Sequence, residues 1–206
     1  MNECNIFAGG ELCDQNYIYR HIPAICADSG YRHALELDIK PLIIIGDFDS
    51  YKGELPENTE IIRCKPEKDD TDTMLAVKTA IERGFDRIYL YGGTGGRLDH
   101  TIANIQTMIY AYNHGCQIEM YAPHTALFIQ GEGFCTYQEQ FEEKSYFSVF
   151  ALSEELHIRK LSGVKYPLEN HVIKNSFPLG VSNEIICQFA DLDIKSGLAL
   201  VMFCEK

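Results

Sequence analysis

Ile88-Tyr89-Leu90-Tyr91-Gly92-Gly93-Thr94-Gly95-Gly96-Arg97-Leu98-Asp99-His100 decides the reading of this chain. An apolar run, Ile88–Tyr91, enters four glycines in five residues. An amphipathic stretch begins near Arg97. Glycine lets a backbone turn sharply and approach a ligand closely. A strand, a glycine-rich turn and a helix start in that order aim free N–H groups and a positive dipole end at whatever lies above them. That arrangement favours phosphate. Arg97 adds a bidentate phosphate donor. Asp99 adds a hard oxygen ligand of the kind Mg²⁺ prefers. The combination points to nucleotide phosphate chemistry.

Outward from this junction the first two thirds of the chain alternate. Strand-like runs are Asn5–Ala8, Ala24–Ala27, Leu42–Ile45, Ile61–Cys64, Ile88–Tyr91 and Gln117–Tyr121. Helix-like stretches intervene, most clearly Asp69–Arg83 and Arg97–His114. In the second, Leu98, Ile102, Ile105, Ile109 and Tyr112 recur with helical spacing and predict one apolar face. Gly115 is placed to end that helix. Alternating strand and helix predicts an α/β unit with a parallel sheet covered by helices on both faces. Ligands in such sheets bind beyond the C-terminal strand ends. The turns after Ala27, Ile45 and Tyr91 would share that rim.

After Pro123 the texture changes. Short runs (Phe134–Tyr137, Tyr146–Leu152, His157–Lys160, Glu184–Phe189, Ala199–Cys204) alternate with glycine and proline, and no helical period appears. This predicts a small antiparallel β-sandwich. The expected organisation is a catalytic α/β domain over residues 1–123 and a sandwich over 124–206. So small a sandwich should pack on other surface.

Composition narrows the function. A net charge of −12 argues against a nucleic-acid partner, which needs a basic face. It leaves room for a nucleotide site screened by Mg²⁺ and a few local cations. Met1-Asn2-Glu3-Cys4 lacks the basic and apolar regions of a secretory signal, and apolar runs are too short for a membrane span. The eight cysteines include no CxxC pair, which suits reduced thiols in a cytoplasmic protein.

Four further stretches carry candidate chemistry. Ile43-Ile44-Ile45-Gly46-Asp47-Phe48-Asp49-Ser50 is a buried strand running into two acids at i and i+2. In extended backbone these face the same way and can converge on one cation, although an Asp- and Ser-rich turn would look the same. Lys68-Asp69-Asp70-Thr71-Asp72 precedes a helix. Acids there offset the helix dipole and cap free N–H groups, which accounts for one or two of the three. Arg97 and Asp99 could equally form a surface ion pair, and His100 reads as a positional or hydrogen-bonding residue. Asp28, in Ala27-Asp28-Ser29-Gly30, could bind a ribose or cap a helix. Gly9-Gly10 could let a phosphate or base come close.

The order of these stretches, followed by Gly180-Val181-Ser182-Asn183-Glu184, resembles the thiamine pyrophosphokinase family, bacterial type. The resemblance spans nearly the whole chain. It implies a homodimer with an α/β catalytic domain, a C-terminal β-sandwich and an active site shared between subunits. It implies transfer of the β,γ-diphosphate of ATP to the hydroxyethyl oxygen of thiamine, giving thiamine diphosphate and AMP. Carried over residue by residue, Mg²⁺ would be held by Asp47, Asp49, Asp72 and Asp99. Gly92, Gly93, Thr94, Gly95, Gly96 and Arg97 would hold the ATP phosphates, with Asp28 and His100 beside the nucleotide. Asp72, Arg97 and Asp99 would act in the chemistry. Lys68, Ser182 and Asn183 would bind substrate. Two departures stand out. Many relatives carry Asp-Gly-Gly where this chain has Asp28-Ser29-Gly30, and some carry Lys-Trp-x-Leu where it has Lys165-Tyr166-Pro167-Leu168. The chain has no Trp, so an aromatic contact to thiamine has to come from Tyr or Phe, Tyr166 among them.

Two rival readings share the same residues. Asp47-x-Asp49 after a strand is also the start of haloacid-dehalogenase-type phosphatases, whose first Asp is a nucleophile. Tyr51 stands where those carry Thr or Val. A non-enzymatic nucleotide-binding regulator would bind ATP without forming AMP.

Overall fold

The computed structural model describes residues 2–48, 53–65, 69–142 and 144–206. Asp49 and Lys68, both named above as site candidates, lie outside the described residues. The chain forms two compact units, Met1–Pro123 and His124–Lys206.

The first unit carries strands β1 (Glu3–Phe7), β2 (Ala24–Ala27), β3 (Ile43–Gly46), β4 (Glu60–Arg63), β5 (Arg87–Tyr91) and β6 (Gln117–Ala122). They pair in parallel in the order β4-β3-β2-β1-β5-β6. Central parallel strands are covered on both faces and read as unbroken apolar runs. Ile6, Ile25, Ile43, Ile44, Ile45, Ile88 and Leu90 are accordingly buried at 1% exposure or less. The chain winds outward from β1 to β4, then crosses back to β5 on the other side of β1. A crevice opens where strand order reverses in this way, and ligands bind there.

Helices α1 (Tyr31–Glu36), α2 (Asp72–Glu82) and α3 (Leu98–Asn113) connect the strands. The predicted start of α2 at Asp69 is too early. The Thr71 side chain accepts the Met74 amide at 3.1 Å and caps the helix, so Asp69 and Asp70 stay outside it. Asp70 pairs instead with Lys78 at 2.7 Å. Gly115, with φ of 76°, follows the end of α3.

The predicted buried face of α3 is also corrected. Asn104, Thr107, Met108 and Ala111 are the residues buried, whereas Leu98 is 72% and Ile102 53% exposed. Ile105, Ile109 and Tyr112 are half-buried. Small residues and one Met let the helix approach its neighbours closely, and Asn104 donates to the Gly93 carbonyl at 2.7 Å. Periodicity finds the apolar row, but the buried residues lie on a neighbouring face of the helix.

The second unit is antiparallel. β7 (Thr125–Gln130), β13 (Ala199–Glu205) and β9 (Ser145–Ala151) form one sheet, with β13 central. β11 (Leu168–Lys174), β10 (Glu155–Ser162), β12 (Ala190–Ser196) and β8 (Gly133–Tyr137) form the other in that order. Phe128, Tyr137, Phe147 and Phe203 make a cluster of ring contacts in its core. The Gln130 side chain ties the two sheets. It accepts the Tyr137 hydroxyl at 2.9 Å and donates to the Leu192 carbonyl at 3.1 Å. The predicted run Glu184–Phe189 is not a strand. It holds one isolated bridge, Val164 to Ile185, and its Ile186 is 64% exposed.

All eight cysteines are free, and burial pushes the Cys4 and Cys13 thiols up to about 12. Such thiols stay protonated and inert. Among the described residues no helix is long and apolar enough to cross a membrane.

The two faces of α3 give a direct test. Met108→Ala should cost ~2–5 kcal/mol through lost burial and a cavity. Leu98→Ala should stay within about 0.5 kcal/mol. Urea unfolding of both variants checks the assignment, and the reverse ranking would contradict it.

Candidate functional site

A cleft of about 390 Å³ lies at the C-terminal rim of the parallel sheet. Its walls are Ala8–Gly10 after β1, Ala27–Ser29 after β2, Thr71–Thr73 at the start of α2 and Gly92–Arg97 after β5, with His100 and Asn104 from α3. It therefore sits at the reversal between β1 and β5.

Backbone contact between two loops shapes this cleft. The Ala8 amide donates to the Tyr91 carbonyl, Gly10 to Gly92 and Glu11 to Thr94, each at 2.8 Å. The approach is so close that a Cβ on Gly92 would run into the Ala8 carbonyl. Gly92 also has φ of 67°, where side chains are strained. Gly96 differs. Its φ is 70°, yet open space surrounds it. Gly10 would likewise meet Gly92 and Thr94 backbone, so its lack of a side chain serves loop packing. Two side chains support the pair from behind. Asn104, 6% exposed, holds the Gly93 carbonyl, and His33 Nε2 donates to the Gly10 carbonyl at 2.8 Å.

The sequence candidates fall into three groups. Asp28, Asp72, Gly92, Gly93, Thr94, Gly95, Gly96, Arg97 and His100 all line the cleft. Asp28 has φ of 45°, an uncommon conformation for a non-glycine residue. Asp47 and Asp99 are not among the lining residues. Phe48 has φ of 63°, so the backbone leaving β3 is not extended. Strand alternation ends with β3 at Gly46, and Asp49 lies outside the described residues. Asp99 is exposed and engaged by Arg97 at 2.6 and 3.1 Å, and it accepts the His100 amide at 3.0 Å. The Arg97 guanidinium holds the Asp99 carboxyl below the usual carboxylate range, and Asp99 in turn raises Arg97. Among the described residues no three His, Cys, Asp or Glu side chains group as a metal cage.

Ser182 and Asn183 belong to the second unit. Ser182 is exposed, with φ of 59°. Asn183 is only 6% exposed, and its carboxamide is bonded to the Tyr166 peptide and the Glu184 amide. Sequence reasoning missed Asn104, His33, Thr71 and Thr73. Asn104 gave no signal, because it lies off the apolar row of Leu98, Ile102, Ile105, Ile109 and Tyr112. His33 gave none either, because only the fold brings α1 behind the glycine loop.

Chemically the cleft offers main-chain N–H groups, a guanidinium, a helix start with no side-chain cap at Arg97, and the Asp28 and Asp72 carboxylates. That is an anion site with hard oxygen donors on its wall.

Comparison with known proteins gives the following. The sequence profile described as "Thiamin pyrophosphokinase, catalytic domain" matches residues 15–120, and "Thiamin pyrophosphokinase, vitamin B1 binding domain" matches residues 136–199. A protein named thiamine pyrophosphokinase from Bacillus subtilis (strain 168) is 33% identical over 215 residues, covering 98% of each chain. The crystal structure of thiamine pyrophosphokinase from Bacillus subtilis superposes with a TM-score of 0.90 at 29% identity, covering 99% of each chain. That of the Geobacillus thermodenitrificans protein gives 0.84 at 27% identity, covering 99% of this chain and 98% of the other. The haloacid-dehalogenase-type alternative is not supported, since these relatives account for both units without it.

The two loop glycines with positive φ separate packing from exposure. Gly96→Ala should cost ~1 kcal/mol, the strain of a left-handed Ala alone. Gly92→Ala adds the clash with Ala8 and should cost more than ~3 kcal/mol. Chemical denaturation measures both, and equal losses would contradict the loop packing described.

Proposed function

The chain belongs to the thiamine pyrophosphokinase family, and on that premise we propose how its residues share the family reaction, ATP-dependent diphosphoryl transfer to thiamine. The observation that carries this reading is the convergence of the Gly92–Arg97 loop, Asp28 and Asp72 on one cleft at the sheet reversal.

The loop amides and the α3 start bind the ATP phosphates, and Arg97 spreads charge developing on them. Asp28, on the cleft wall, is assigned to a ribose hydroxyl. His100 orients the nucleotide. Such transfer needs alignment and charge neutralisation more than covalent chemistry. The thiamine hydroxyethyl oxygen attacks the β-phosphorus, the bond to the AMP oxygen breaks, and the hydroxyl proton goes to a carboxylate or water. Thiamine diphosphate and AMP leave.

Carboxylate oxygens are the donors Mg²⁺ takes. Asp72 offers one from the cleft wall, and Asp47, Asp49 and Asp99 complete the set proposed to hold it. Mg²⁺ when bound supplies positive charge to the phosphate oxygens. Asp99 must exchange Arg97 for that role, and the exposed pair is weak enough to allow it. Lys68 and Ser182 are proposed to bind substrate. The reading extends to a cytoplasmic homodimer in which Ser182 serves the partner's cleft.

Incubation with ATP, Mg²⁺ and thiamine should yield AMP and thiamine diphosphate in equal amounts, with chelation abolishing both. ADP with thiamine monophosphate, or ATP bound without AMP formed, would overturn the reading. Asp72→Asn and Arg97→Ala should each lower turnover about a hundredfold or more, with the fold retained. Light scattering checks the dimer, and mixing Asp72→Asn with a Ser182→Tyr variant should restore activity if subunits exchange.

A further inference from the structure

The second unit contains a polar arrangement that the family's substrate role for Asn183 does not explain. Asn183 Oδ1 accepts the Tyr166 amide at 2.9 Å and the Glu184 amide at 2.9 Å. Its Nδ2 donates to the Tyr166 carbonyl at 2.8 Å. A carboxamide offers two donors and two acceptor sites, so three of four are spent. Two N–H groups face one end and a carbonyl the other, which fixes the orientation of the amide. With Asn183 6% exposed, almost no surface is left for a ligand.

The same side chain thus brackets both polar groups of one residue, as a strand partner would. Tyr166 lies outside any strand, between β10 and β11, and is 59% exposed. Neighbouring contacts hold the same short segment. The Lys165 amide donates to the Glu184 carbonyl at 2.9 Å, and the Lys165 ammonium pairs with the Glu184 carboxylate at 2.9 Å. Lys206 reaches the other Glu184 oxygen at 2.7 Å. The Lys165 ammonium also sits 5.6 Å from the Tyr166 ring centroid. Asn183 itself is anchored, because its carbonyl accepts the Phe147 amide from β9 at 2.8 Å.

We propose that Asn183 is a positioning residue that never touches substrate: its buried carboxamide clamps the Tyr166 peptide and so holds the Tyr166 ring in the presentation that thiamine meets. This rests on the reading that the second unit serves thiamine. Exposed Ser182 is then the polar side chain of the pair that meets ligand, while Asn183 turns inward. Ser182 is exposed, Asn183 buried and Glu184 half-buried, as this division requires.

The absence of Trp gives the test a clean reporter. Tyr166→Trp introduces one fluorophore at the clamped residue. In ligand-free protein, adding Asn183→Ala should shift its emission to the red and lower its anisotropy. Asn183→Asp keeps both acceptor bonds but sets a buried carboxylate oxygen against the Tyr166 carbonyl, so it too should shift the emission. An unchanged Trp signal in both would overturn the clamp. Kinetics separate it from direct contact. Asn183→Ala should raise the KM for thiamine about tenfold, with the KM for ATP and kcat unchanged within about twofold. In a Tyr166→Ala background the same substitution should add nothing, because residues acting through one another are not additive. Additive losses would establish direct contact and overturn the proposal. Should Asn183→Ala not fold, Asn183→Asp carries both measurements, and wild-type values from it would overturn the clamp. A wild-type enzyme with no thiamine turnover would defeat the functional reading, and the ligand-free fluorescence would still decide the clamp.

Discussion

Two loops that meet backbone to backbone set the geometry of the catalytic unit. β1 and β5 are parallel neighbours in register from Glu3 with Arg87 to Phe7 with Tyr91. Beyond the sheet the contact continues as amides of Ala8, Gly10 and Glu11 donate to Tyr91, Gly92 and Thr94. Buried backbone groups need partners, and here each loop supplies the other's. The crevice at the sheet reversal therefore has a floor of main chain hydrogen-bonded to main chain. Asn104 and His33 extend the same constraint to α3 and α1. This explains why so many glycines sit together: several exist so that two backbones can touch.

The α/β unit was legible because its signals are local. Ile43-Ile44-Ile45 is apolar without interruption, as a strand covered on both faces must be. The sandwich was legible as a class and less so strand by strand. β12 carries Ala190, Leu192 and Ile194 inward between charged residues, the alternation of a half-buried strand. The neighbouring apolar run Glu184–Phe189 outweighed it in the sequence. Apolar content alone cannot distinguish a strand from an exposed segment pinned by side chains. β11 gave little signal because it is an edge strand with one buried residue, Ile173. In β10 a register shift between Ile158 and Lys160 moves the apolar parity to Leu161, which hides a strict period of two.

The cleft was legible where a motif follows a strand end directly. Asp28, Asp72 and the glycine loop qualify, since the chain leaves the sheet, or enters a helix, at those points. Asp47 shows the limit. Alternation predicts a shared face only while the backbone stays extended, and Phe48 leaves that region two residues after β3. His33 acts from α1, remote in sequence from the glycine loop, and Asn104 from the face of α3 that carries no apolar row, so no spacing rule reaches either.

Residues of one chemical type within these motifs are doing different work, and burial with hydrogen-bond accounting separates them. Asp70, just outside α2, is absorbed by Lys78 of that helix. Asp72, two residues on, faces the cleft. Asp99 stays exposed on Arg97 and is exchangeable at little cost, because an exposed ion pair is weakly held. Asn183 is the opposite case, since a buried amide whose partners face it from both ends cannot turn to a ligand without leaving three polar groups unsatisfied. A motif therefore contains two populations: groups that can exchange partners at little cost, and buried groups most of whose bonds are already spent within the fold. In Gly180–Glu184 the division falls between Ser182 and Asn183, adjacent residues that the sequence alone presents as a pair.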